Sequence, residues 1–114
     1  MNNKRNLKRR HLFYYLRVFN RATGEVLGHL VDMTTQGINL ISEKPIETDT
    51  IYQLQIELPE EFAEQGKVSF DAESVKCVRD INPDFFSTGF KIVNIDQDNT
   101  QILQFLISDF GFVD

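Results

Sequence analysis

A mainly β domain, six short strands closed into an antiparallel barrel with one C-terminal helix, is the architecture this chain predicts. Three observations lead there. Short runs of alternating apolar and polar residues recur, and turn-forming residues separate them. After the last run the apolar residues change to helical spacing. The 114 residues, with 41% hydrophobic content and ten Phe, supply one core and no second one.

Taken in order, residues 1–10 are polar and basic and read as a flexible arm ahead of a barrel over 11–114. Residues 11–19 are rich in aromatics, and Leu12, Tyr14, Leu16 and Val18 share one side of a strand. Residues 20–24 form a turn, in which Gly24 is free to take positive φ. Residues 25–31 return as the second arm of a hairpin. A turn over 32–37 precedes a short strand over 38–41, and Pro45 breaks the next segment. Residues 51–58 alternate, with Tyr52, Leu54, Ile56 and Leu58 inward and Gln53, Gln55 and Glu57 outward.

Residues 59–66 form an acidic loop, with Glu60, Glu61 and Glu64 as a solvated face. Val68, Phe70 and Ala72 open the fifth strand, and the apolar phase then moves to Val75 and Cys77. Such a slip predicts a bulge near residues 73–74. Asn82-Pro83-Asp84 is a turn, and residues 85–95 are the sixth strand, with Gly89 at a close backbone approach. Ile102, Leu103, Leu106 and Phe110 predict an amphipathic helix over 98–110, packed on a sheet or closing a barrel end. Asp98, followed three residues on by Gln101, resembles a capping box.

Charge is unevenly placed. Residues 1–21 carry Lys4, Arg5, Lys8, Arg9, Arg10, Arg17 and Arg21 and no acid, about +7. The other five basic residues face all 17 acidic ones, about −12, which leaves the formal −5. A basic head on an acidic body suits one compact anion better than a nucleic-acid polymer, so no DNA partner is expected. No run approaches the roughly 18 apolar residues that cross a membrane, and no secretory signal opens the chain. The lone Cys77 agrees with a reducing cytoplasm and reads as a buried structural thiol. His11 and His29 lack metal-ligand spacing, so no metal is expected. No triad order, paired-carboxylate motif or phosphate-binding glycine loop points to an enzyme.

Two motifs carry chemistry. Guanidinium groups pair with phosphate oxygens, stay charged and stack on flat rings. Arg5, Arg9 and Arg10 therefore suit both phosphate and base of a nucleotide. In the bend, the Asp32 carboxylate can accept from a guanine edge, Thr34 can donate its hydroxyl, and Gly37 permits a backbone shape barred to side chains. The same residue types also build an ordinary turn.

Together the motifs resemble the PilZ domain family, whose marks are Arg-x-x-x-Arg and a downstream Asp/Asn-x-Ser-x-x-Gly. Here they stand as Arg5-Asn6-Leu7-Lys8-Arg9 and Asp32-Met33-Thr34-Thr35-Gln36-Gly37. Residues 86–92, Phe-Ser-Thr-Gly-Phe-Lys-Ile, also look like the family's penultimate segment. The resemblance covers residues 4–110. It implies a six-stranded PilZ-type barrel that binds cyclic di-GMP, a bacterial second messenger. Arg5 and Arg9 would grip phosphate and stack on guanine, Asp32 and Thr34 would hydrogen-bond guanine, and Gly37 would keep the turn open. Thr34 stands where Ser is usual. A second alignment uses Arg10 with Tyr14, so either Arg9 or Arg10 fills the inner position.

Three readings follow. A cytoplasmic cyclic di-GMP receptor would signal by arm ordering to an unidentified protein partner or through a homodimer. A PilZ adaptor without nucleotide would bind a protein in pilus or flagellar control. A basic arm on a nucleic-acid backbone is the third, opposed by the acidic body.

Overall fold

The computed structural model describes residues 16–58 and 66–110. Six antiparallel strands close a barrel, as the sequence predicts, and their order around it is β1-β2-β3-β6-β5-β4. They are β1 (Arg17–Asn20), β2 (Val26–Met33), β3 (Gly37–Ser42), β4 (Ile51–Glu57), β5 (Lys67–Arg79) and β6 (Phe86–Asn94). A helix, α1 (Gln97–Phe110), follows and packs against β5.

Inward positions build one core. Val18, Leu30, Leu40, Leu54, Ile56, Val68 and Ala72 are fully enclosed, and Leu103 and Leu106 of α1 join them. Burying each Val, Leu or Ile side chain contributes about 1.5–3 kcal/mol, and Ala72 less, which is why the period-2 and period-3.6 patterns were readable. Gly24 takes φ 80° in the β1–β2 turn, as expected. Asn82 shapes the β5–β6 turn, accepting at its carbonyl from Phe85 N (3.0 Å) and at its side chain from Asp84 N (3.1 Å).

Several expectations need correction. Among the described residues the first strand begins at Arg17, although Leu16 O still accepts from Leu30 N at 2.9 Å. Residues 11–15, with Leu12 and Tyr14, lie outside the described residues, as do His11 and residues 59–65 of the acidic loop. The β5 bulge falls at Val75, between Ser74 and Lys76. The inward phase runs on to Ser74, which is wholly buried, while Val75 is 57% exposed. A buried serine is silent to a hydrophobicity pattern, so the apolar Val75 was assigned inward in its place. Cys77 is half-buried rather than enclosed. The helix cap is Asp96, not Asp98: its Oδ1 accepts from Asn99 N at 2.8 Å and from the Asn99 side chain at 2.9 Å. Asn99 in turn accepts from Ser69 N at 2.8 Å, which pins the start of α1 to β5.

The basic head is also divided. Arg17 meets Glu57 at 2.6 Å and stacks over Phe19, while Arg21 meets Asp71 at 2.8 Å and donates to Leu54 O and Phe70 O. These two guanidiniums brace the barrel wall rather than extending the arm's charge.

Candidate functional site

The predicted bend is shorter than its motif. Asp32 and Met33 are the last residues of β2, and Gly37 is the first of β3, so the loop itself is 34–36. Thr34 N donates to Gly37 O at 2.8 Å and closes the bend. Gln36 N and Gly37 N donate to Thr34 Oγ1 at 3.1 and 3.2 Å. The threonine hydroxyl is therefore the bend's own clasp, and it leans on Gly37 O at 3.5 Å. Serine at this position would make the same bonds, so threonine keeps the local geometry.

Asp32 is exposed on the outer face of the sheet. One of its oxygens, Oδ1, accepts from Met33 N at 2.8 Å. The other accepts from none of the described residues. The bulge at Val31, between Leu30 and Asp32, is what turns this side chain outward. Met33, one residue on, is buried in the core.

Gly37 has a physical reason different from the one expected. Its φ is not in the left-handed region, which among the described glycines holds only Gly24 and Gly66. A Cβ on Gly37 would sit 2.3 Å from Phe90 O, so glycine is needed for β3 to approach β6. Gly89 likewise leaves room, but for a side chain rather than for backbone. A Cβ there would lie 3.2 Å from Asn39 Oδ1.

Asp32, Thr34 and Gly37 line one open groove of about 830 Å³ over the β2–β3–β6 face. Its polar wall also includes Thr35, Gln36, Asn39, Lys91 and Asn94, with Val75 and Val93 as an apolar shelf. Lys91 stands opposite Gly37 in register and is exposed. The groove therefore combines a carboxylate, a carboxamide and an ammonium with two positions lacking side chains. It can accept a flat polar ring and the charge of an anion.

Arg5, Arg9 and Arg10 lie outside the described residues. In β1, Phe19 faces Val26, Val18 faces Gly28 and Arg17 faces His29, and Leu16 bonds to Leu30. Read from Asn20 back to Leu16, the chain follows β2 toward Asp32.

Comparison with solved structures is specific about the fold. The cyclic di-GMP-bound PilZ domain of Escherichia coli YcgR matches 85% of this chain and 82% of its own length, at TM-score 0.60 and 16% identity. The fold is that of a PilZ domain. The Bacillus subtilis inhibitor of motility MotI/DgrA matches at TM-score 0.60 and 17% identity over 82% of this chain and 45% of its own. Apo MrkH of K. pneumoniae matches at 0.64 and 12% over 83% and 45%. The PilZ-type chain thus spans less than half the length of MotI/DgrA and MrkH. No family model and no curated protein sequence matches it. No described helix is long and apolar enough to cross a membrane.

Sequence reasoning did not single out Asn39, which lines the groove. Its only signal was its place as an outward residue between the buried Ile38 and Leu40. Only the strand register brings it opposite Asp32.

Proposed function

We propose that this chain is a non-catalytic, cytoplasmic receptor for cyclic di-GMP. The dinucleotide lies in the Asp32–Lys91 groove, and the arm of residues 1–10 closes over it through Arg5, Arg9 and Arg10. Arm ordering then changes the surface offered to a partner protein. One observation supports this reading above the others: β1, followed toward its start, runs beside β2 in the direction of Asp32. Arg9 and Arg10 precede Leu16 by seven and six residues, a reach of roughly 25 Å at most. Leu30 to Asp32 is about 7 Å along a strand.

The energetics are compatible. Ordering the arm costs roughly 1–2 kcal/mol of backbone entropy per fixed residue. Charge-assisted hydrogen bonds from guanidinium to phosphate contribute about 1.5–3 kcal/mol each, so several are needed to offset it. Screening weakens them as salt rises.

Calorimetric titration with cyclic di-GMP tests the proposal on the intact chain and on the double variant Arg9→Ala with Arg10→Ala. Saturable binding that weakens with salt and is lost in the variant is the expected result. Equal affinity in both proteins would remove the arm from the site. The adaptor reading draws support from the Thr34 hydroxyl, which its own bend already engages. Its signature is an intact chain that gives no heat with the nucleotide.

A further inference from the structure

The strand register sets one row of residues across the outer face of the groove. Asp32 of β2 faces Asn39 of β3, Asn39 faces Gly89 of β6, and Gly89 faces Lys76 of β5. Directly opposed side chains in such a row stand about 5 Å apart at Cβ. Both Asp32 and Asn39 are exposed. The Asn39 carboxamide lies over Gly89, where an added Cβ would meet its Oδ1 at 3.2 Å and push it aside by a few tenths of an ångström. No described residue bonds to it, although polar partners line the same groove. A carboxylate with one oxygen engaged by Met33 N and a carboxamide with no bond among the described residues therefore stand side by side on a two-strand platform.

We infer that Asp32 and Asn39 together read the Watson–Crick edge of one guanine, with Gly89 serving as the seat that orients Asn39. This rests on the receptor reading. A guanine edge presents N2–H₂ and N1–H as adjacent donors and O6 as the neighbouring acceptor. The Asp32 carboxylate accepts from the two donors, and the Asn39 amide N–H donates to O6. Adenine in the same place turns the N1 lone pair toward Asp32 and offers N6–H₂ in place of O6. The carboxylate then repels the ring, and only the rotatable amide of Asn39 can adapt. The pair thus selects guanine over adenine, and Asn39 supplies affinity from a position outside both sequence motifs.

Titration of the full chain with cyclic di-GMP and, separately, cyclic di-AMP tests this. Wild type is expected to bind cyclic di-GMP at least about tenfold more tightly than cyclic di-AMP. Asn39→Leu removes one hydrogen bond to the base and is expected to weaken cyclic di-GMP about tenfold. Asn39→Asp places a second carboxylate against O6 but accepts from adenine N6–H₂. It is expected to weaken cyclic di-GMP more than Asn39→Leu does and to narrow the guanine-to-adenine ratio. A merely structural role for Asn39 would lower both affinities alike and leave that ratio unmoved, which overturns the inference. Wild-type affinity in Asn39→Leu, with binding still lost in the arginine double variant, overturns it while the receptor reading stands. An intact chain that binds neither nucleotide overturns both. Thermal unfolding of each variant at the wild-type temperature establishes that the fold is unchanged.

Discussion

Two hydroxyls organise bends in this barrel, and their surroundings differ. Ser74, within β5, is wholly buried. Its Oγ donates to Glu47 O at 2.6 Å, lies 3.2 Å from Thr50 O, and accepts from Thr50 N at 3.2 Å. Its backbone adds two more bonds, accepting from Asp49 N at 2.7 Å and donating to Thr50 O at 2.9 Å. These five contacts hold the connection into β4, including Asp49 at φ 56°. Thr34 makes a comparable clasp in the β2–β3 bend, but it is only half-buried and lies on the groove. Water or a ligand can replace its bonds, whereas water does not reach the buried Ser74 side chain. The buried clasp serves the fold, and the accessible one is free to serve binding as well.

The largest expected effect follows from breaking the buried clasp. Ser74→Ala takes the side-chain acceptor from Thr50 N and leaves Glu47 O only its bond from the Tyr52 hydroxyl, at about 1–3 kcal/mol in all. A loss of roughly 2 kcal/mol and a Tm lower by about 10 °C are expected in thermal unfolding. Nucleotide affinity, measured well below the new Tm, should be unchanged, because Ser74 does not line the groove. A Ser74→Ala protein as stable as wild type would remove the distinction drawn between the two hydroxyls.

The accessible side should behave in the opposite way. Asp32→Ala removes an exposed carboxylate whose local bond is to Met33 N. Stability should move by no more than about 0.5 kcal/mol, as at most surface sites. Cyclic di-GMP affinity should fall by about 1.5–3 kcal/mol, the worth of hydrogen bonds to a charged group. Thr34→Val keeps the shape but loses the clasp, so it should cost about 1 kcal/mol in both stability and affinity. Calorimetry and thermal unfolding on the same two proteins measure the split. Equal losses of stability and affinity in Asp32→Ala would make the bend a folding element and nothing more.

The same contrast explains what was legible in the sequence. Apolar residues announce themselves by period, so the strands around Leu54, Ile56, Val68 and Phe70 and the helix face of Leu103 and Leu106 were readable. Gly24 was readable because a turn demanded its φ. Ser74 was not, since a buried hydroxyl looks polar in sequence and reveals itself only when its partners, 24 and 27 residues away, are in place. Arg17 and Arg21 were counted with the basic arm for the same reason: Glu57 and Asp71 are 40 and 50 residues distant. At the site, Asp32, Thr34 and Gly37 could be named from their motif. The reason for Gly37 could not, because the carbonyl it accommodates belongs to Phe90 on another strand.

The smallest effect concerns a third clasp, more exposed than that of Thr34 and placed just beyond Asn94 and Ile95 at the edge of the groove. Asp96 caps α1 through Asn99, and the Asn99 backbone N–H, followed by its side-chain amide, holds the Asp96 carboxyl below its ordinary value of 3.8. A carboxylate at a helix start also meets the positive end of the helix dipole. Because the folded pKa is depressed, the stabilisation is complete above the unfolded value near 3.8 and is lost as pH falls through the lower folded one. Asp96→Ala should therefore lower Tm slightly at neutral pH, and its gap from wild type should shrink as pH drops below 3.8. A gap that stays constant with pH would mean that the cap works through geometry alone, as the neutral hydroxyl of Thr34 does. Asn99 also accepts from Ser69 N, which ties the cap to β5, and neither Asp96 nor Asn99 lines the groove. Affinity for the nucleotide should not change.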